Sequence, residues 1–150
     1  MQPPEPPPVT LTLECVDSAT IRFEITNAGS ADTALPLGRA VANGRTYMIG
    51  DLNLRMKPSN GNGTDYHYLP RHYRAVTGGR FDQWFQAFPV GASYHMTAKL
   101  EDFLGFNAQD KFPRGVELSL RWTVSAETPK SLFPLVFWTG TLISNTCIPP

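Results

Sequence analysis

From Val116 to Val124 the chain reads Val-Glu-Leu-Ser-Leu-Arg-Trp-Thr-Val, apolar and polar residues alternating without a break. Side chains of an extended strand point alternately to its two faces, so Val116, Leu118, Leu120, Trp122 and Val124 share one side. Glu117, Ser119, Arg121 and Thr123 take the other. A strand with one apolar and one polar face belongs in an antiparallel sheet that packs on a second layer and wets its outer side. This constrains architecture far more tightly than it constrains chemistry.

The same rhythm recurs. Val9, Leu11, Leu13 and Cys15 alternate with Thr10, Thr12 and Glu14; after the turn residues Asp17 and Ser18, Ile21, Phe23 and Ile25 alternate with Arg22, Glu24 and Thr26. Asn27-Ala28-Gly29-Ser30 should end that strand, because Asn and Gly accept positive φ. Residues Ala31 to Gly44 show no stable period and read as an irregular crossing. Leu52, Leu54 and Met56 mark a third strand, followed by a loop at Pro58-Ser59-Asn60-Gly61-Asn62-Gly63. A weak strand is expected near Tyr66 to Leu69, and a long loop from Arg71 to Val90, where Gly78-Gly79 and unevenly spaced aromatics break any period. Tyr94, Met96, Ala98 and Leu100 restore the alternation. One helical turn fits Glu101 to Phe106, and a last strand spans about Val136 to Ile143. Short strands separated by Gly/Pro turns predict an all-β sandwich of about seven strands. It would be a single domain over residues 9–148.

Size and charge narrow the function classes. A chain of 150 residues can bury one self-sufficient core. Thirteen basic and thirteen acidic residues cancel, and no basic cluster offers the footprint that nucleic acid requires. No apolar run reaches the roughly 18 residues of a membrane-spanning helix. Residues 1–8 are rich in proline and read as a stiff linker, of the kind that follows a removed leader or anchor, with Met1 an added start residue. The other reading is an ordinary disordered terminus of a cytosolic protein. Cys15 and Cys147 are too few and too distant for a zinc site, and they form no Cys-x-x-Cys motif. Cys15 shares a strand face with Val9, Leu11 and Leu13, so a buried free thiol is one outcome. A disulfide joining first and last strands is the expected one. It implies an oxidising compartment.

Three stretches resemble the small immunoglobulin-like domain in the pro-regions of deuterolysin-type metallopeptidases and of related secreted bacterial proteins. Ile21 to Asp32 is similar to that family's strand and "N-x-G/S-x-x-D" turn. Gly91-Ala92-Ser93-Tyr94 through Leu100-Glu101-Asp102-Phe103 is similar to its "G-x-S" strand and acidic-aromatic turn. Val116 to Val124 with Trp138-Thr139-Gly140 looks like its closing strands. Together these cover about two thirds of the chain. The resemblance implies an immunoglobulin-like antiparallel β-sandwich and a partner among secreted enzymes, a peptidase or hydrolase. Asn60 to Arg80 departs from the pattern, and no His-Glu-x-x-His occurs.

The densest polar-aromatic cluster runs from Asp65 to Arg74. A metal reading would use Asp65, His67 and His72, but a five-residue offset in a loop does not bring two imidazoles to one side. No metal or cofactor is expected. Tyr66, His67, Tyr68, Arg71, His72 and Arg74, with Trp84, are instead candidate partner-binding residues, since such side chains supply rigid area and directed hydrogen bonds. Alternatively, the tyrosines merely cover the sandwich edge. Phe81, Trp84, Phe85 and Phe88 form a second group, better suited to packing than to sugar stacking. Trp122 and Trp138 are expected on strands in or beside the core. There is no Gly-x-Ser-x-Gly and no Cys/His context, so no enzyme is expected. Glu101 and Asp102 should charge the start of a helical turn. Asn62-Gly63-Thr64 matches the glycosylation pattern, which matters only in a eukaryotic source. The expected role is non-catalytic binding of another secreted or periplasmic protein, by inhibition, chaperoning or docking. A carbohydrate-binding module using Trp84, Tyr66 and Tyr68, and a surface-display domain, are the alternatives.

Overall fold

The structure is a computed structural model that describes residues 8–35, 37–39, 46–48, 51–68, 86–124 and 138–150. Strand β1 (Val9–Cys15) turns through residues 16–19 into β2 (Thr20–Asn27), and the two pair antiparallel from Val9↔Asn27 to Cys15↔Ile21. Asp17 makes the turn: its Oδ1 accepts from the Ala19 N–H at 2.9 Å, while the Val16 N–H donates to the Thr20 carbonyl at 3.0 Å. Strand β9 (Ser93–Lys99) lies on the far side of β2 and completes a three-stranded sheet.

The second sheet has the order β11-β10-β6-β7, built from β6 (Asp51–Lys57), β7 (Thr64–His67), β10 (Glu117–Val124) and β11 (Gly140–Ile143). All its pairs are antiparallel. The apolar sets read from the alternation are the buried ones. Leu11, Leu13, Ile21, Phe23 and Ile25 from one sheet join Leu52, Leu54, Leu118, Leu120 and Trp122 from the other in one hydrophobic cluster. The fold is therefore all-β and antiparallel, two sheets meeting across one core. The predicted helical turn is present as a short 3-10 turn, Leu100–Asp102. Asp102 Oδ2 accepts from the Lys99 N–H at 2.8 Å, so the acidic residue caps the turn as its charge predicts.

Four strands were not foreseen. β3 (Thr33–Leu35) pairs with β8 (Gln86–Phe88), and β4 (Leu37–Arg39) with β5 (Thr46–Met48). The first and third of these fall in the stretch expected to be an irregular crossing, and β8 in the expected long loop. Three residues allow one alternation at most, so no period accumulates in the sequence. Packing identifies β3 and β8 instead, since Ala34, Leu35 and Phe88 are fully buried. The last described strand begins at Gly140, and the expected start near Val136 lies outside the described residues. Trp138 precedes it, off any strand, with its N–H donating to the Ala34 carbonyl at 3.1 Å and its ring stacked 5.6 Å from Trp122. β7 begins two residues earlier than expected, at Thr64.

The turn after β2 also differs in mechanism. No non-glycine residue there has positive φ, and Gly29 does not either. Asn27, 1% exposed, holds the turn through its side chain. Its Nδ2 donates to the carbonyls of Phe88 (2.8 Å) and Ala31 (3.1 Å), and its Oδ1 accepts from the Gly29 N–H (3.0 Å). A buried amide needs such partners, and here both ends have them. Gly29 is required for closeness: a Cβ there would lie 2.6 Å from the Cβ of Pro8.

The two sheets are laced together along both flanks. On one, Ile143 opposes Arg121 and Cys147 opposes Leu118, so four steps along the C-terminal strand match three along β10. That mismatch is a bulge, and it turns Asn145 out of the ladder. The Asn145 amide then exchanges two hydrogen bonds with Leu13 of β1, accepting its N–H at 2.8 Å and donating to its carbonyl at 2.9 Å. Beside it, Cys15 and Cys147 form a disulfide with Cα atoms 5.8 Å apart, within the ordinary range. On the other flank, the Leu104 N–H donates to the His67 carbonyl at 2.8 Å and Phe103 bridges Tyr68.

Candidate interaction surface

Strand β7 separates the residues that the sequence groups together. Tyr66 stands opposite Leu54, on the core side, and packs 4.7 Å from Phe106. Tyr68 turns the same way and meets Phe103 edge-on at 5.4 Å. Both are partly buried and packed against the hydrophobic cluster. Asp65 and His67 alternate with them and face outward, opposite Arg55 and Asn53. The tyrosines thus seal the flank of the sandwich, and His67 lies on a different surface. Of the other expected contact residues, Arg71, His72, Arg74 and Trp84 lie outside the described residues, as does the whole segment 69–85.

His67 belongs to the outer face of the four-stranded sheet. Register aligns this face in cross-strand rows. One row is Ile143, Arg121, Asn53 and His67; a second is Ser119, Arg55 and Asp65; a third pairs Glu117 with Lys57. Within the face, Asp51 Oδ1 accepts from Asn53 Nδ2 at 2.8 Å and lies 3.4 Å from His67 Nδ1. Arg55 reaches Asp65 at 3.7 Å. These side chains are about half exposed, so each pair contributes little to stability and mostly fixes side-chain direction. Arg121 has no ion-pair partner among the described residues, and Ile143 beside it is 70% exposed.

Arg121, Asn53 and Ile143 were not singled out from the sequence. The signal was present for Arg121, an outward position in the longest alternation, but which residues flank it depends on strand order and register. The opposite sheet offers an open groove of about 270 Å³ on its outer face, lined by Thr12, Glu14, Arg22, Glu24 and His95 among others. There His95 Nδ1 lies 3.6 Å from Glu24 Oε2. Asp65 and His67, two of the three residues in the metal reading, are each engaged with another side chain, and no group of three potential ligands gathers among the described residues. Phe88, expected to pack, is buried and stacks on Tyr94 at 5.3 Å. Among the described residues no helix is long and apolar enough to cross a membrane.

No protein-family model, curated protein or solved structure matches this chain.

Proposed function

We propose that this chain is a non-catalytic, secreted or periplasmic module of immunoglobulin-like architecture that binds another extracytoplasmic protein. Its binding surface is the outer face of the β11-β10-β6-β7 sheet. The strand order supports the architecture: β1-β2-β9 against β11-β10-β6-β7 follows the immunoglobulin order A-B-E against G-F-C-C′, with β3–β8 and β4–β5 as additions. The disulfide supports the compartment, because such bonds persist where the surroundings are oxidising.

The row Ile143–Arg121–Asn53–His67 carries the proposal. It sets an exposed aliphatic side chain beside an arginine with no ion-pair partner among the described residues, on a rigid sheet. Arginine flanked by apolar area is the commonest kind of energetic anchor after the large aromatics. Around the row, acidic Asp51, Asp65 and Glu117 alternate with basic Arg55 and Lys57. Such mixed charge suits a protein surface better than a polyanion. The resemblance of Ile21–Asp32 and the closing strands to a peptidase pro-region domain makes a secreted peptidase or hydrolase the partner class.

The test is capture from the native culture medium on immobilised protein. Wild type should retain a partner that the Arg121→Ala/Ile143→Ser variant loses, while the variant melts within a few degrees of wild type. Equal capture by both would remove this face from consideration. Tyr68→Ala is unsuited to such a test, because it empties a packed position and confounds binding with stability.

A further inference from the structure

We infer that Asn62 is a self-modification site, at which the side-chain amide converts to a carboxylate through a cyclic imide formed with Gly63. The β6–β7 loop holds two Asn-Gly pairs, Asn60-Gly61 and Asn62-Gly63, and both asparagines are exposed. In such a pair the following backbone nitrogen can reach the side-chain carbonyl carbon, since glycine places no side chain in the way. The reaction uses only water. The Gly63 amide nitrogen gives its proton to solvent base and attacks Asn62 Cγ; the bond from Cγ to the side-chain nitrogen breaks, and that nitrogen takes a proton back from solvent and leaves as ammonia. Water then opens the imide at either carbonyl, yielding aspartate or isoaspartate.

Two observations separate the otherwise identical pairs. The Gly61 N–H donates to the Pro58 carbonyl at 3.3 Å, which ties the would-be nucleophile into a turn. Among the described residues the Gly63 N–H has no backbone acceptor. Gly63 also lies against a cation: a Cβ built on it would come within 2.5 Å of Arg55 Nε and 2.8 Å of Cζ. A guanidinium packed against Gly63 favours negative charge there, and both the deprotonated amide and the tetrahedral oxyanion carry it. One pair is restrained and the other is electrostatically assisted. The product places a new carboxylate one residue from Gly63, on the loop that lies against Arg55, and makes that end of the sheet more acidic.

The protein is incubated at mildly alkaline pH, and samples are digested and mapped by mass spectrometry for acid and isoaspartate at each position. Asn62 should convert several-fold faster than Asn60. Arg55→Gln should slow conversion at Asn62 several-fold and leave Asn60 unchanged, with the urea midpoint confirming that both proteins are folded throughout. Equal rates at the two sites, or faster conversion at Asn60, would overturn the assignment. So would an Asn62 rate indifferent to Arg55→Gln, or native protein carrying a glycan on Asn62 in place of the acid.

Discussion

At the scale of the residue, two side chains show how far burial and local geometry determine behaviour. Trp122 is fully buried, opposite Leu52 and Leu142 in the register, and its ring stacks on Trp138. Trp122→Ala should therefore destabilise the fold by about 3–5 kcal/mol, the range for removing a large buried aromatic. Urea denaturation measures this; an unchanged midpoint would mean that the cavity closes at no cost. Asp17 is the opposite case, fully exposed but engaged. The Ala19 N–H, followed by the Thr20 side chain, holds its carboxyl below the ordinary value of 3.8. A group whose pKa is depressed by folding stabilises the fold above its unfolded value, and that contribution fades as pH falls through the folded one. Asp17→Asn keeps the oxygen that accepts from Ala19 but cannot titrate. Stability measured from neutral to strongly acid pH should thus fall less steeply below 3.8 in the variant than in wild type. Parallel curves would show that the turn does not sense the charge.

At the scale of the element, the C-terminal strand does two jobs by means of one bulge. β11 pairs with β10 as far as Ile143, and beyond the bulge Cys147 pairs with Leu118 again. Between them Asn145 serves the edge of the other sheet, satisfying a backbone donor and acceptor of Leu13 that face away from β2. Asn145→Ala leaves both groups of a buried residue without protein partners. An unsatisfied buried group costs about 1–3 kcal/mol. The variant should lose stability in that range, and the Leu13 amide should exchange with solvent markedly faster. Protection of that amide at the wild-type level would mean that another group takes over. The β6–β7 hairpin shows the complementary principle, because alternation sends Tyr66 inward and Asp65 and His67 outward. Neighbours in sequence become residues of different surfaces.

At the scale of the whole molecule, the disulfide and the Asn145 bonds close one flank of the sandwich while residues 103 and 104 close the other. Cys15 and Cys147 are 132 residues apart, so the bond restricts nearly the entire unfolded chain. The loop-entropy relation assigns such a link about 5 kcal/mol. Thiol titration of denatured, unreduced protein should find no free cysteine, and reductant should lower the urea midpoint by an amount equivalent to several kcal/mol. Two titratable thiols, or an unmoved midpoint, would remove both this staple and the oxidising compartment from the account.

The alternating stretches determined by themselves which residues of β1, β2, β6, β9 and β10 are buried. A strand's side-chain period is two regardless of its partners, so one amphipathic run specifies its own inner face. The burial of Val9, Ile21, Leu54, Met96 and Trp122 was legible for that reason. The three-residue strands were not, because β3 and β8 exist through each other and through the buried Phe88 rather than through any local period. Pairing of the two cysteines was an expectation and not a necessity, since one strand face accommodates a thiol as well as half a disulfide. The candidate surface lay furthest out of reach. Polarity marks Arg121 as outward, but only strand order and register set it between Ile143 and Asn53, residues far from it in the chain. Alternation is a property of one segment, whereas a surface is a property of how several segments are laid side by side.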